Sequence, residues 1–231
     1  MLSLIGTPIG NLEDLSARAA RTLLTADVIL AEDTRSVRAL IERASQMMEN
    51  TEHNKDEESR KIVSYYKEVE YQKLPQVMEW LADGLHVALV SEAGMPLISD
   101  PGYLLVHETR KRDIPLTVIP GPSAVQSALV ASGMAFDHYQ FVGFLPKKES
   151  ERARLFEQLK IIQDTMGKTK LVFVAFESPE RASSTLKCLY ATYSAVRITL
   201  SRELTKKFEE IIAQPSPDTH YRGEITLVFR F

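Results

Sequence analysis

The chain has 231 residues, of which 44% are hydrophobic and 26% are charged. This composition is typical of a soluble globular protein, and the length allows one large or two small domains. The net charge of −3 excludes a globally basic nucleic-acid coat, so RNA binding would need a local basic patch. The single cysteine, Cys188, excludes an intrachain disulfide and indicates a reducing compartment.

No apolar run approaches the ~20 residues that a membrane-spanning helix needs. The N-terminal segment MLSLIGTPIGN lacks a basic region, and its apolar core is too short for a secretory signal peptide. We therefore expect a cytoplasmic protein with no membrane contact.

The first half of the chain alternates short apolar runs with segments of helical periodicity. Strands are predicted at residues 2–5, 27–32, 62–66, 87–90 and 116–119. Asn11 is a good N-cap for the first predicted helix, and further helices are predicted at 37–48, 73–83, 102–112 and 123–133. This alternation predicts a parallel sheet with covering helices. The polar stretch at 49–61 is predicted to be an exposed, mobile loop.

The pattern restarts around residues 134–138, where we place a domain boundary, so that the predicted domains cover 1–134 and 138–231. Strands of the second domain are predicted at 139–143, 170–176, 196–200 and 224–231, with an extended segment at 208–213. Helices are predicted at 151–166 and around Leu186 and Leu189. Because strands cluster in this half, we expect a mixed sheet here and an α/β fold overall.

Residues 87–102, which read VALVSEAGMPLISDPG, combine a buried strand with a loop suited to a ligand. The VALV run is typical of a central strand in a parallel sheet. The loop after it is too rich in Gly and Pro to continue the strand or to begin a helix. Ligands of open α/β sheets bind beyond such strand ends, and Gly94 and Gly102 allow the backbone to approach a ligand closely. An ordinary connecting loop is the alternative.

Six further loops at predicted strand ends share this composition, and they read TPIGNLED, AEDTR, PGPSA, GFLPKK, FESPER and RELTK. Loops of this kind after successive strands indicate a site along one sheet edge. No GxGxxG or GxxxxGK[ST] pattern occurs, so neither a dinucleotide-binding Rossmann domain nor a phosphate loop is supported. The five histidines show no metal-ligand spacing, and we predict no metal site.

The loop SEAGMPLISDPG resembles the SDAGTPLISDPG loop of the ribosomal RNA small subunit methyltransferase I family. That family belongs to the tetrapyrrole-methylase superfamily of S-adenosylmethionine-dependent enzymes. Glu92 stands in place of the usual Asp, and Met95 replaces the usual Thr, which removes a hydroxyl. The seven loops occur in the family's order along nearly the whole chain. Where the family often shows His-Glu-His-Asn after the third strand, this chain has Tyr-Tyr-Lys-Glu at 65–68.

The resemblance implies a two-domain tetrapyrrole-methylase-like fold with S-adenosylmethionine held in the cleft between the domains. Backbone groups of the Gly-, Pro- and Ala-rich loops would hold the polar ends of the cofactor, while apolar side chains cover its sulfonium. Carried over residue by residue, the resemblance implies cofactor contacts at Pro8, Gly94, Met95, Ile98, Ser123, Ala124, Ala175, Phe176, Gly223, Glu224 and Ile225.

The implied reaction is methylation of the 2′-hydroxyl of a cytidine in small-subunit ribosomal RNA. Such a displacement needs the oxygen in line with the methyl group and a route for the hydroxyl proton. We predict Glu177, Lys148 and Arg202 as catalytic residues, with inter-domain ion pairs as the alternative. A short basic cluster is predicted to contact RNA phosphates, with a solvated helix start as the alternative. The cluster consists of Lys147, Lys148, Arg152 and Arg154.

Two other functions fit the same residues. One is a methyltransferase of this fold that acts on a tetrapyrrole or another small molecule, although the basic cluster and the absence of a GGDP loop favour RNA. The other is a non-catalytic RNA-binding or assembly protein. The resemblance further implies a homodimer whose partner is small-subunit ribosomal RNA or the ribosomal subunit.

Overall fold

Two five-stranded sheets organise the chain in the computed structural model, which describes residues 1–48 and 60–231. The first sheet has the strand order β3-β2-β4-β1-β5, and every neighbouring pair is parallel. Its strands are β1 (Leu2–Ile5), β2 (Val28–Ala31), β3 (Lys61–Ser64), β4 (Val87–Val90) and β5 (Leu116–Ile119). The predicted parallel sheet is therefore confirmed, with the VALV run as its buried central strand.

Helices cover both faces of this sheet, and they are α1 (Ala17–Thr25), α2 (Thr34–Met47), α3 (Lys67–Ala82) and α4 (Tyr103–Lys111). Successive strand residues point to opposite faces, so that Ile5 packs with α1 and α2 while Leu4 packs with the side of α3 and α4. The two apolar clusters bury the sheet on both sides, which explains why its central strands are apolar throughout.

Two helices begin elsewhere than predicted. The Asn11 side chain caps only a short 3-10 turn, Leu12–Asp14, and the α-helix begins at Ala17 because Ser16 accepts a hydrogen bond from the Ala19 N–H. Helix α3 begins at Lys67, well before the predicted start at residue 73, and Pro75 lies inside it. The loop predicted at 49–61 falls mostly outside the described residues.

The second sheet is mixed, as predicted, with the order β6-β7-β10-β8-β9. Strands β6 and β7 are parallel, and the other neighbours are antiparallel. The elements are α5 (Ala124–Ala131), β6 (His138–Phe144), α6 (Glu149–Thr165), β7 (Leu171–Glu177), α7 (Pro179–Thr192), β8 (Arg197–Arg202), β9 (Glu210–Ala213) and β10 (Ile225–Arg230). Phe173 and Phe229 contact each other at the centre of a core shared with α6 and α7.

The described chain divides into two compact units, Met1–Ser123 and Ala124–Phe231. Helix α5 packs against β7, β8 and β10, which is why it belongs to the second unit. The boundary predicted at 134–138 lies after this helix.

Candidate functional site

The carboxyl ends of all five parallel strands meet at one edge of the first sheet, and three loops contact each other there. Thr7, after β1, pairs with Gly94, after β4, through N–H···O bonds of 2.8 and 3.2 Å. The buried hydroxyl of Ser91 donates to the Gly94 carbonyl at 3.0 Å. A Cβ on Gly94 would lie 3.5 Å from the carbonyl oxygen of Pro122, in the loop after β5. The edge therefore gathers loops that the sequence separates by more than a hundred residues.

The loop after β4 has a strained backbone. Gly94, Leu97 and Ser99 have φ values of +84°, +71° and +72°. Non-glycine residues adopt this conformation uncommonly, and such strain is concentrated at ligand sites. Met95 packs its sulfur close to Gly6, whereas half of Ile98 is exposed. The predicted cofactor residues of this loop thus combine unusual backbone conformation with apolar side chains.

A group of carboxylates that the sequence reasoning did not select lies at the same edge. Glu32 follows β2 directly, and Glu92 and Asp100 lie in the loop after β4. Burial and then repulsion by Glu92 raise the pKa of Glu32, and burial followed by repulsion from Glu32 raises the pKa of Asp100 to about 6. Their position after strand ends is the signal that could have identified them. Because they repel one another, this edge favours a positively charged ligand.

In the second unit, the motifs FESPER and SRELTK reach the same sheet edge. Ile225 pairs with both Glu177 at the end of β7 and Arg202 at the end of β8. Phe144, at the end of β6, pairs with Phe176. The prediction that the two motifs share an edge is confirmed. The residues predicted to contact the cofactor, from Ala175 to Phe176 and from Gly223 to Ile225, also lie there.

Glu177 is buried and fully engaged within its own unit. One carboxylate oxygen accepts bonds from the Ser178 N–H at 2.7 Å and from Arg181 Nη2 at 2.5 Å, and the other accepts from the Thr185 hydroxyl at 2.6 Å. The side chain has no exposed surface. This carboxylate satisfies donors at the N-terminus of α7, a favourable place for negative charge. Its catalytic role stays a prediction, and the geometry gives it a positioning role.

The other two predicted catalytic residues are more accessible. Lys148 is 77% exposed and pairs with Glu151 at 3.2 Å. Arg202 donates to Glu210 at 2.5 Å and to the backbone carbonyl of Arg222 at 3.2 Å. Arg202 is therefore fixed at the end of β8 by partners within the second unit, whereas the solvent-exposed pair of Lys148 restrains that side chain little.

The loop after β8 is held by a second set of ion pairs. Lys206 contacts Glu203 at 3.2 Å and Glu224 at 2.9 Å, and the Glu224 N–H donates to Glu203. That backbone hydrogen bond lowers the pKa of Glu203. A Cβ on Gly223 would overlap the Glu203 carboxyl group. Gly223 also has a φ of +81°, so its backbone conformation favours glycine whatever its proposed contact with a cofactor.

The predicted RNA-binding role of Arg152 is wrong. Arg152 is only 2% exposed, and its guanidinium donates to the carbonyls of Pro146 and Lys147 and to the hydroxyl of Ser184. It therefore fixes the turn before α6 against α7. Lys147, Lys148 and Arg154 remain on the surface.

The described residues contain neither a cluster of metal-ligating side chains nor a membrane-spanning helix. Among residues 1–48 and 60–231, no group of three or more His, Cys, Asp or Glu side chains could hold a metal ion. None of the helices in that part of the chain is long and apolar enough to cross a membrane.

Comparison with known proteins identifies the family. The family model described as Tetrapyrrole (Corrin/Porphyrin) Methylases matches residues 1–218. A protein of Thermotoga maritima named ribosomal RNA small subunit methyltransferase I is 38% identical, over 98% of this chain and 96% of its own length. The chain belongs to the ribosomal RNA small subunit methyltransferase I family of tetrapyrrole methylases. A relative of the same name from Halalkalibacterium halodurans is 37% identical, over 100% of this chain and 73% of its own.

The methyltransferase I resemblance seen in the seven loops is thus confirmed. A solved uroporphyrin-III-C-methyltransferase from Thermus thermophilus matches with a TM-score of 0.60 and 15% identity, over 98% of this chain and 93% of that one. At this identity the likeness shows the fold alone. Together with the family match, it confirms the two-unit tetrapyrrole-methylase fold that the methyltransferase I family implies.

Proposed function

We propose that this chain is an S-adenosylmethionine-dependent enzyme that methylates the 2′-hydroxyl of a cytidine in small-subunit ribosomal RNA. The observation that carries the proposal is the likeness, over nearly the whole chain, to two proteins named ribosomal RNA small subunit methyltransferase I. The convergence of the motif loops at one edge of each sheet supports it, because binding residues gather at such edges.

The edge of the first sheet has the properties that this cofactor needs. Its strained, Gly-containing loop offers backbone polar groups, and Met95 and Ile98 offer apolar surface. The carboxylates around Asp100 suit a ligand that carries a sulfonium cation. In this unit, we assign cofactor contacts to Pro8, Gly94, Met95, Ile98 and Ser123.

For the second unit, the family resemblance assigns further cofactor contacts. They are Ala124, Ala175, Phe176, Gly223, Glu224 and Ile225. Ala124 begins α5, and the others lie at the β7 and β10 ends that share a sheet edge. Ala175 is buried and Phe176 half-buried, which suits an apolar contact.

When bound, S-adenosylmethionine supplies an electrophilic methyl group. The residues of this chain must orient the ribose and accept the hydroxyl proton. Lys148 and Arg202 are cations that can hold a substrate phosphate near the sheet edge, and Glu177 holds Arg181 at the start of α7. Asp100, whose pKa is raised to about 6, is a stronger base than an ordinary Asp and is still ionised at neutral pH.

The test is a map of ribose methylation in ribosomal RNA from cells with and without this protein, followed by methylation of purified small subunits in vitro. We expect one cytidine to lose its 2′-O-methyl group and to regain it in vitro. Gly94→Val is the matched inactive variant, because a β-branched residue at φ +84° distorts the loop. Calorimetry should show cofactor binding to the wild type only. An unchanged methylation map together with no cofactor binding would favour a non-catalytic RNA-binding protein.

We also infer a homodimer that works in the cytoplasm. The family resemblance implies the dimer, and a ribosomal substrate implies the cytoplasm. Light scattering of the purified protein should give twice the mass of the chain, and a monomer at micromolar concentration would contradict the dimer.

A further inference from the structure

Two phenylalanine rings are exposed at the motif-bearing edge of the second sheet. Phe144 ends β6 and is 62% exposed, and Phe208 lies in the loop after β8 and is 64% exposed. Strand β6 is parallel to β7, and β10 is antiparallel to both β7 and β8. The carboxyl ends of β6 and β8 therefore share one edge. Two strands lie between them, so the ends of β6 and β8 are about 14 Å apart along the edge.

The Phe144 ring packs against the ring of Phe176. Its centroid lies 5.3 Å from that of Phe176, which in turn contacts Phe141 at 4.9 Å. These are the separations of favourable aromatic pairs. A ring fixed in this way loses little conformational entropy when it binds a ligand.

Cationic groups accompany both rings. Lys207 places its Nζ 5.7 Å from the centroid of Phe208, and Lys147 follows Phe144 closely in the chain. Neither lysine makes an ion pair with any residue that the structure describes, and the same holds for the exposed Arg222.

The acidic residues around Phe208 are already engaged. Glu209 accepts a bond from the Thr205 N–H at 2.6 Å, and Glu210 pairs with Arg202. Glu203 and Glu224 share Lys206. A backbone N–H does not neutralise Glu209, and Lys206 offsets only one of the two glutamates that it contacts, so this edge carries uncompensated charge of both signs. Its cations without an ion pair in the described part of the chain are Lys147, Lys207 and Arg222.

We propose that Phe144 and Phe208 stack on unpaired bases of a single-stranded RNA segment whose phosphates contact Lys147, Lys207 and Arg222. Exposed aromatic faces interleaved with cations are the recurring design for single-stranded nucleic acids. Bases inside a duplex cannot reach such rings, because they are already stacked on each other. The inference rests on the proposed ribosomal RNA substrate and adds that the bound segment must be unpaired at this edge.

The experiment measures fluorescence anisotropy with a labelled single-stranded segment of small-subunit ribosomal RNA, and with the same strand annealed to its complement. Phe144→Leu and Phe208→Leu should each weaken single-strand binding about tenfold, and Phe208→Tyr should restore it because stacking is kept. Tyr71→Leu is the control, since it removes a 79% exposed aromatic ring from the other unit and should change nothing. Thermal melting verifies that each variant is folded.

Salt titration separates stacking from phosphate binding. The leucine variants should keep the slope of log affinity against log salt, because they retain every cation. Lys147→Glu with Lys207→Glu should flatten that slope by about 0.7 for each phosphate that the protein no longer neutralises. Equal affinity of the wild type for single strand and duplex would overturn the inference. So would leucine variants that bind RNA like the wild type, or that change only the oligomeric state.

The methylation map decides the proposed function separately. If the leucine variants weaken RNA binding while no ribose methylation depends on the protein, the stacking surface stands and the proposed function falls. If methylation depends on the protein but the variants bind RNA normally, only the stacking surface falls.

Discussion

The backbones of Gly6 and Gly121 lie in direct contact at the edge of the first sheet. A Cβ on Gly6 would lie 2.5 Å from the Gly121 nitrogen, and a Cβ on Gly121 would lie 2.6 Å from the Gly6 carbonyl carbon. Neither residue has a positive φ, so both are required for space and not for conformation. The absence of two side chains is what allows the loops after β1 and β5 to meet beside Met95, whose sulfur also lies against Gly6.

Gly121→Ala should therefore disturb the cofactor site as well as the fold. The added methyl group meets backbone atoms that cannot rotate away, and we expect a loss of about 2 kcal/mol in the free energy of unfolding. Urea denaturation measures that loss, and calorimetry should show weakened binding of S-adenosylmethionine. Gly133→Ala is the control, because nothing lies within 4 Å of the added methyl group. Its φ of +64° alone should lower the free energy of unfolding by about 1 kcal/mol when alanine is introduced. If the folded Gly121→Ala variant binds S-adenosylmethionine with wild-type affinity, the contact between Gly6 and Gly121 does not shape the cofactor site.

Much of the fold could be predicted because its strands are short apolar runs bounded by Gly, Pro and polar residues. The errors came from competing local signals. Asn11 and Ser16 are both good N-caps, and only the structure shows that Asn11 caps a 3-10 turn. Pro75 suggests a helix start, yet α3 begins at Lys67, since packing on the sheet outweighs one lost backbone hydrogen bond.

The site was harder to predict, because sequence does not reveal which charged residues are buried. The partners of Arg152 include Ser184, which lies 32 positions along the chain on another helix. Glu177 is engaged by Thr185, eight positions further along the chain. The pKa of Asp100 is raised by burial and then by Glu32, which follows a different strand. Each of these facts follows from tertiary packing, which composition and spacing do not contain.

Substitution by Glu should affect stability strongly at Arg152 and only slightly at Arg154. Arg152→Glu places a buried negative charge against two carbonyl oxygens, and we expect a loss of more than about 3 kcal/mol in the free energy of unfolding. Arg154→Glu alters an exposed position and should shift that free energy by less than about 0.5 kcal/mol. Arg154→Glu should still weaken RNA binding at low salt, as measured by anisotropy. Wild-type stability of Arg152→Glu would contradict the structural role of this guanidinium.

Glu177→Gln tests whether this residue takes part in chemistry or in positioning. The amide removes the charge opposite Arg181 and brings an N–H₂ group among three donors. We expect a loss of about 3 kcal/mol in the free energy of unfolding, and a near wild-type single-turnover rate for the folded variant. Glu157→Gln, at an exposed position of α6, is the control. A rate reduced a hundredfold without loss of stability would instead place Glu177 in the chemical step.

Asp100 should make the stability of the protein depend on pH between about 4 and 7. Burial and the nearby Glu32 raise its pKa from 3.8 to about 6, although a hydrogen bond with Ser91 opposes the shift. Between these two pKa values, Asp100 is therefore protonated in the folded protein and ionised in the unfolded chain. The stability contributed by Asp100 is fully present below pH 3.8 and is lost as the pH rises through about 6.

Asp100→Asn should remove this dependence while it keeps a polar partner for Ser91. Relative to the wild type, the variant should gain about 1 kcal/mol in the free energy of unfolding between about pH 4.5 and 7.5, after allowance for solvent screening. Urea denaturation across that pH range measures the gain. Parallel pH profiles for the two proteins would show that Asp100 ionises normally.

Cofactor binding should release a proton through the same carboxylate. A sulfonium cation near Asp100 and Glu32 favours their ionised forms, so their pKa values must fall on binding. Calorimetry at about pH 6 in two buffers of different ionisation enthalpy measures the number of protons released. We expect a substantial fraction of a proton for the wild type and a smaller number for Asp100→Asn, while at about pH 8 both should release almost none. Equal release by both proteins at the lower pH would place the positive charge of the ligand away from Asp100.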